Sequence, residues 1–102
     1  MVLRLLTSFV ALLVLVSCAN STAESNNTDH PGLAVYNDYC KVCHGDDGKL
    51  KLSGASDLSL SELPLEGRIN LLNNGGQVMP PFKEVLTEQQ IADVADYIEN
   101  LK

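Results

Sequence analysis

Two cysteines and a histidine stand together in the segment Cys40-Lys41-Val42-Cys43-His44, and their spacing constrains everything built around them. On a helix the two thiols fall one turn apart on the same side. That separation matches the two vinyl groups of a haem, and the next residue sets an imidazole beneath the iron. C-x-x-C-H is accordingly a c-type haem attachment pattern. Three other uses of the segment compete. A thioredoxin-like dithiol wants a βαβ setting, which is absent here. A zinc site wants four well-placed ligands, whereas only Cys40, Cys43, His44 and His30 are available, with Cys43 and His44 adjacent in the chain. A disulfide across one helical turn is strained. The export signal and the helical context described next favour haem over all three.

The chain has 102 residues, which sets one small domain as the prior. Much of its apolar share lies at the start. Arg4 precedes a twelve-residue apolar run, Leu5 to Val16, broken only by Thr7 and Ser8. A bilayer-spanning helix needs about 20 residues, so residues 1–17 read as a secretory signal. Its end, Leu15-Val16-Ser17-Cys18, resembles the lipobox of bacterial lipoproteins. That resemblance implies a lipid on Cys18 and attachment to the periplasmic side of a bacterial membrane. Cleavage near Cys18 or Ala19 by the general signal peptidase is the alternative, and would give a soluble periplasmic or secreted protein. Residues 18–29 are rich in Ser, Asn and Thr without apolar periodicity, as a flexible tether would be. The domain is then residues 30–102, small enough to need a staple such as a cofactor.

Once Arg4 leaves with the signal, six Lys/Arg face thirteen Asp/Glu, a net charge of −7. An acidic surface argues against nucleic acid and suits redox partners with a basic docking face, where complementary charge raises the encounter rate. The membrane is reached only through the anchor at Cys18.

Three stretches carry helical periodicity. Pro31 to Cys43 places Leu33, Tyr36, Cys40 and Cys43 on one face. Pro64 to Asn74 has the stripe Leu65, Ile69, Leu72, and Asn73-Asn74-Gly75-Gly76 stops it. Glu88 to Leu101 has the stripe Ile91, Val94, Ala95, Ile98, Leu101, opened by a capping box at Thr87 and Gln90. No convincing strand pair is visible, so the expected fold is all-α. His30 reads as a solvated loop residue. Leu50, Leu52, Leu58, Ile69, Leu72, Val78 and Phe82 are candidate lining of a haem pocket, and Arg68 and Lys83 are candidate partners for its propionates.

A second iron ligand should lie further along. Met79, in Gln77-Val78-Met79-Pro80-Pro81-Phe82, sits in a Pro-bounded loop after a helix stop, where a thioether is held in place; otherwise it is core filler. At this point the chain resembles the small bacterial class I c-type cytochromes over nearly all of residues 30–102. Gly32 lies eight positions before Cys40 and Tyr36 four before it, where that family has a glycine and an aromatic at the crossing of its N- and C-terminal helices. Tyr97 stands at the family's C-terminal aromatic, and Gly75 precedes a Met-Pro step. The resemblance implies a cytochrome c-like bundle with crossing terminal helices around one haem c, bound covalently through Cys40 and Cys43, with His44 and Met79 on the iron. It also implies an electron carrier rather than an enzyme. A haem-based small-ligand sensor, or a haem subunit of a larger oxidoreductase complex, is the alternative. One departure stands out. Where the family has a proline whose carbonyl accepts the ligand histidine's ring N–H, this chain reads Gly54-Ala55-Ser56-Asp57-Leu58. Ser56 keeps a carbonyl, and its oxygen is expected to face His44 Nδ1.

Overall fold

A computed structural model describes residues 29–102. The signal (residues 1–17), the lipidation position Cys18 and the tether assigned to residues 18–29, except Asp29, lie outside the described residues. Within them the chain is helical, with no strand, so the domain is all-α. No described helix is long and apolar enough to cross a membrane.

The first helical segment has three consecutive parts: α1 (Pro31–Val35), a π-helical turn (Tyr36–Cys40) and α2 (Lys41–His44). Pro31 occupies the first turn, where its missing N–H costs nothing. The π turn carries one extra residue per turn, closed by Lys41 N–H donating to Tyr36 O. Gly45, at φ +79°, ends α2. The chain then runs through two 3₁₀ turns, Leu52–Gly54 and Leu58–Leu60.

Helix α3 (Leu65–Asn74) follows, with Pro64 as its N-cap rather than a residue of its first turn. The stripe read from sequence is corrected at Leu65, which is exposed, while Arg68 is buried beside Leu72. Helix α4 (Glu88–Tyr97) opens on the expected capping box: Gln90 N–H donates to Thr87 Oγ1 at 3.1 Å and Thr87 N–H to Gln90 Oε1 at 2.9 Å. It tightens into a 3₁₀ turn over Ile98–Leu101.

Helices α1 and α4 cross at Gly32. A Cβ there would sit 2.2 Å from Asp93 O and 2.7 Å from Tyr97 Cβ. The close approach lets Ile91, Val94, Ala95 and Ile98 pack with Val35, Tyr36, Leu72, Phe82 and Leu86 in one core. Each fully buried aliphatic side chain such as Ile91 or Val94 contributes about 1.5–3 kcal/mol. Tyr36 and Tyr97 meet at 5.2 Å between ring centroids, tilted by 52°.

His30 is not the solvated loop residue the sequence suggested. It caps α1, its Nδ1 accepting from Gly32 N–H at 3.0 Å, and its Nε2 lies 3.0 Å from Asp96 Oδ2. Because Nδ1 accepts, Nε2 carries the proton in the neutral ring and donates to Asp96.

Candidate functional site

The π turn and α2 deliver Cys40, Cys43 and His44 to one side of the first helical segment, where they border a cavity of about 350 Å³. Leu71 and Leu72 of α3, Ile98 after α4, the Ser53–Ser56 loop and Met79 complete its wall. Cys40, Cys43, His44, Ser56 and Met79, distant in sequence, are thereby brought to a single cavity. The lining is largely apolar and includes no carboxylate.

His44 is buried, and its Nδ1 lies 2.9 Å from Ser56 O. A carbonyl only accepts, so Nδ1 carries the hydrogen and Nε2 keeps its lone pair free to bind a metal. The expected approach of Ser56 O to this ring is thus present. Next to it, Tyr36 Oη donates to Gly45 O at 2.6 Å and pins the loop that leaves His44. Burial holds the Tyr36 phenol above its ordinary range, and nearby ionisable groups add to this. Burial likewise pushes the Cys40 thiol up to about 11. Both thiols are unpaired.

Across the cavity, the shape of the Met79 loop depends on Gly75. Its φ is +75°, and a Cβ there would meet Met79 O at 2.7 Å and Pro81 N at 2.8 Å. Gly76 N–H donates to Met79 O at 2.9 Å and closes the loop on itself, while Phe82 N–H donates to Leu72 O at 2.8 Å and fastens its far end to α3.

The donor set speaks for a prosthetic group rather than a bare ion. Among the described residues, no three His, Cys, Asp or Glu side chains converge to hold a metal, and His30 is committed to Gly32 and Asp96. Two thiols, one imidazole nitrogen and one thioether around an apolar cavity suit a flat, apolar, iron-bearing ring with two reactive edges: a haem.

The sequence matches the family described as cytochrome c oxidase, cbb3-type, subunit III, over residues 27–98. The chain belongs to this family of c-type cytochromes. Its cofactor is therefore covalently bound haem c, and electron transfer through that haem is the function that goes with the family. Among curated relatives, this cytochrome is 34% identical over 73 residues to cytochrome c6 of Rippkaea orientalis, covering 66% of this chain and 65% of the relative. It is 33% identical over 73 residues to cytochrome c6 of Leptolyngbya boryana, covering 66% and 85%. It is 29% identical over 98 residues to the cytochrome c subunit of the quinone alcohol dehydrogenase of Gluconacetobacter polyoxogenes. That match covers 80% of this chain but only 21% of the subunit's length. No solved structure matches the chain.

Several lining residues escaped the sequence reading. Tyr39, Val42, Leu63, Leu71 and Ile98 border the cavity; Leu71, next to the striped Leu72, was the nearest to being legible. Leu52, Leu58, Leu72, Val78 and Phe82 line it as expected, whereas Leu50 and Ile69 do not. Leu50 is exposed and Ile69 packs against the core. Lys83 is absent from the wall; Arg68 is part of it.

Proposed function

We propose that this cytochrome is a one-electron carrier whose haem is held by thioethers at Cys40 and Cys43, with His44 and Met79 on the two faces of the iron. The observation that carries this reading is the arrangement of these four side chains around one apolar cavity, with His44 Nδ1 anchored on Ser56 O. When bound, haem c supplies an Fe(II)/Fe(III) couple. The Ser56 carbonyl fixes the imidazole tautomer and orientation. The tied Met79 loop keeps a soft sulfur donor in place, which favours the reduced state. The apolar wall excludes water. With His44 Nε2 and the Met79 thioether both committed to the iron, no site would be left there for a substrate, and the protein would act as a carrier and not as an enzyme.

The protein works with redox partners outside the cytoplasm. In our reading residues 1–17 are an export signal, Cys18 carries a lipid, residues 18–29 form a tether and residues 30–102 form the haem domain. The excess of acidic groups suits a partner with a basic face. Because no carboxylate borders the cavity, that charge would steer encounter while the apolar rim makes the contact. A second reading, a haem subunit within a larger oxidoreductase, draws support from the similarity to the alcohol dehydrogenase cytochrome subunit.

A redox titration with spectra on wild type and Met79→Ala tests the site. The wild type should show the methionine-to-iron charge-transfer band, and the variant should lose it with a lower potential. An unchanged potential would remove Met79 from the iron, and rapid CO binding by the reduced wild type would favour a ligand sensor. Detergent phase partition of wild type and Cys18→Ala tests the anchor.

A further inference from the structure

Arg68 is a buried cation that the ligation of haem leaves unexplained. Its guanidinium is fastened at three points: Nε donates to Leu63 O at 3.1 Å, Nη1 to Ala95 O at 2.7 Å and Nη2 to the Glu99 carboxylate. Arg68 exposes only 7% of its side chain, against 54% for Glu99. Glu99 also binds Lys102 Nζ at 3.0 Å. The hydrogen bonds from Lys102 and then Arg68 hold the Glu99 carboxyl below its ordinary range.

Two facts set this pair apart from an ordinary brace between α3 and the C-terminal turn. Arg68 borders the same cavity as His44 and Met79, and it is the lone Lys or Arg in a wall that includes no carboxylate. A guanidinium remains charged at any working pH. Its field also reaches further through an apolar interior than through water.

We propose that Arg68 and Glu99 set the reduction potential of the bound haem in opposite directions. Reduction adds one electron and no proton to the site. The Arg68 charge in the wall favours the state with that extra electron. Glu99, outside the wall and half in water, offsets part of this effect. Arg68 thereby acts through its charge, at a distance from the reacting iron. The inference rests on the haem site proposed above.

Spectroelectrochemical midpoint potentials of the holoprotein at low ionic strength test it, together with melting curves, for wild type, Arg68→Met, Arg68→Lys and Glu99→Gln. The expected result is a lower potential in Arg68→Met, a higher one in Glu99→Gln, and a value in Arg68→Lys nearer to wild type than to Arg68→Met. Optical signatures of the iron ligands should stay unchanged throughout. A brace alone predicts lost stability in both Arg68 variants and no opposed shifts. Shifts of Arg68→Met and Glu99→Gln in the same direction, or none in either, would overturn the proposal. Should Arg68→Met fail to fold, Glu99→Gln decides: a rise supports the proposal and an unchanged potential overturns it. A wild-type spectrum without methionine ligation would instead overturn the site itself, whatever the variants show.

Discussion

Gly32 lies so close to Asp93 that a methyl group on its α-carbon would stand 2.2 Å from the Asp93 carbonyl oxygen. The obstacle is backbone in the middle of α4, so it cannot swing aside as a side chain would. Gly32→Ala gains about 1 kcal/mol in helix propensity but must force the two helices apart. An overpacking cost of about 3 kcal/mol, at the upper end of its usual range, leaves an expected net loss of about 2 kcal/mol. Urea unfolding of the holoprotein measures it; stability equal to wild type would mean the crossing has slack.

Ser56 contributes a backbone carbonyl to His44, and its own side chain is exposed. The preceding Ala55 sits at φ −59°, ψ 143°, a conformation compatible with a following proline. Ser56→Pro should leave the reduction potential unchanged and stabilise the fold by about 0.5 kcal/mol through a stiffer unfolded chain. A displaced potential would show that the loop, and not only its oxygen, governs the histidine.

Lys51 and Ser53 adopt left-handed backbone at φ 57° and 55°. Such a conformation costs a residue with a β-carbon about 1–2 kcal/mol, part of which glycine gives back in chain entropy. Lys51→Gly and Ser53→Gly should each raise stability by about 0.5 kcal/mol, read from denaturation midpoints. Gly54→Ala, at φ +84° with open space around it, should fall in the opposite direction.

Tyr36 makes stability fall in alkali. Burial raises its folded pKa above the unfolded value of about 10. The contribution is therefore complete below pH 10 and is lost as pH rises beyond it toward the folded value, because the unfolded chain releases its proton first. Tyr36→Phe loses the hydrogen bond to Gly45 and about 1 kcal/mol at pH 7, yet should close much of that gap by pH 11. Melting temperatures at the two pH values check this. A constant difference would refute it.

The helices, the capping box and the grouping of Cys40, Cys43, His44 and Met79 at one cavity were legible because each has a local signature: a 3.6-residue period, a cap, a fixed motif, a loop between a helix stop and prolines. Ser56 was legible because a carbonyl is independent of side chain. The burial of Arg68 was not, since its partners Ala95 and Glu99 come from another helix and no local pattern marks a cation for the interior. The cap formed by His30 was hidden for the same reason: half of it is Asp96. The π turn was invisible too, because a single wide turn leaves the apolar spacing almost intact.

That wide turn has a consequence for how such a helix can vary. The turn takes up one residue more than a regular one, so everything after it lies about 100° short of where an uninterrupted α-helix would carry it. Upstream of it, the orientation of Gly32 is dictated by the neighbouring helix; downstream, that of Cys40, Cys43 and His44 is dictated by the cofactor. Tyr36–Cys40 acts as a phase adjuster between the two demands. Deleting Asn37 or Asp38 would let Lys41 close a regular α-helical turn on Tyr36 and leave the thiols and the imidazole aimed at the cavity, whereas an uninterrupted α-helix through the intact sequence would carry them about 100° past it.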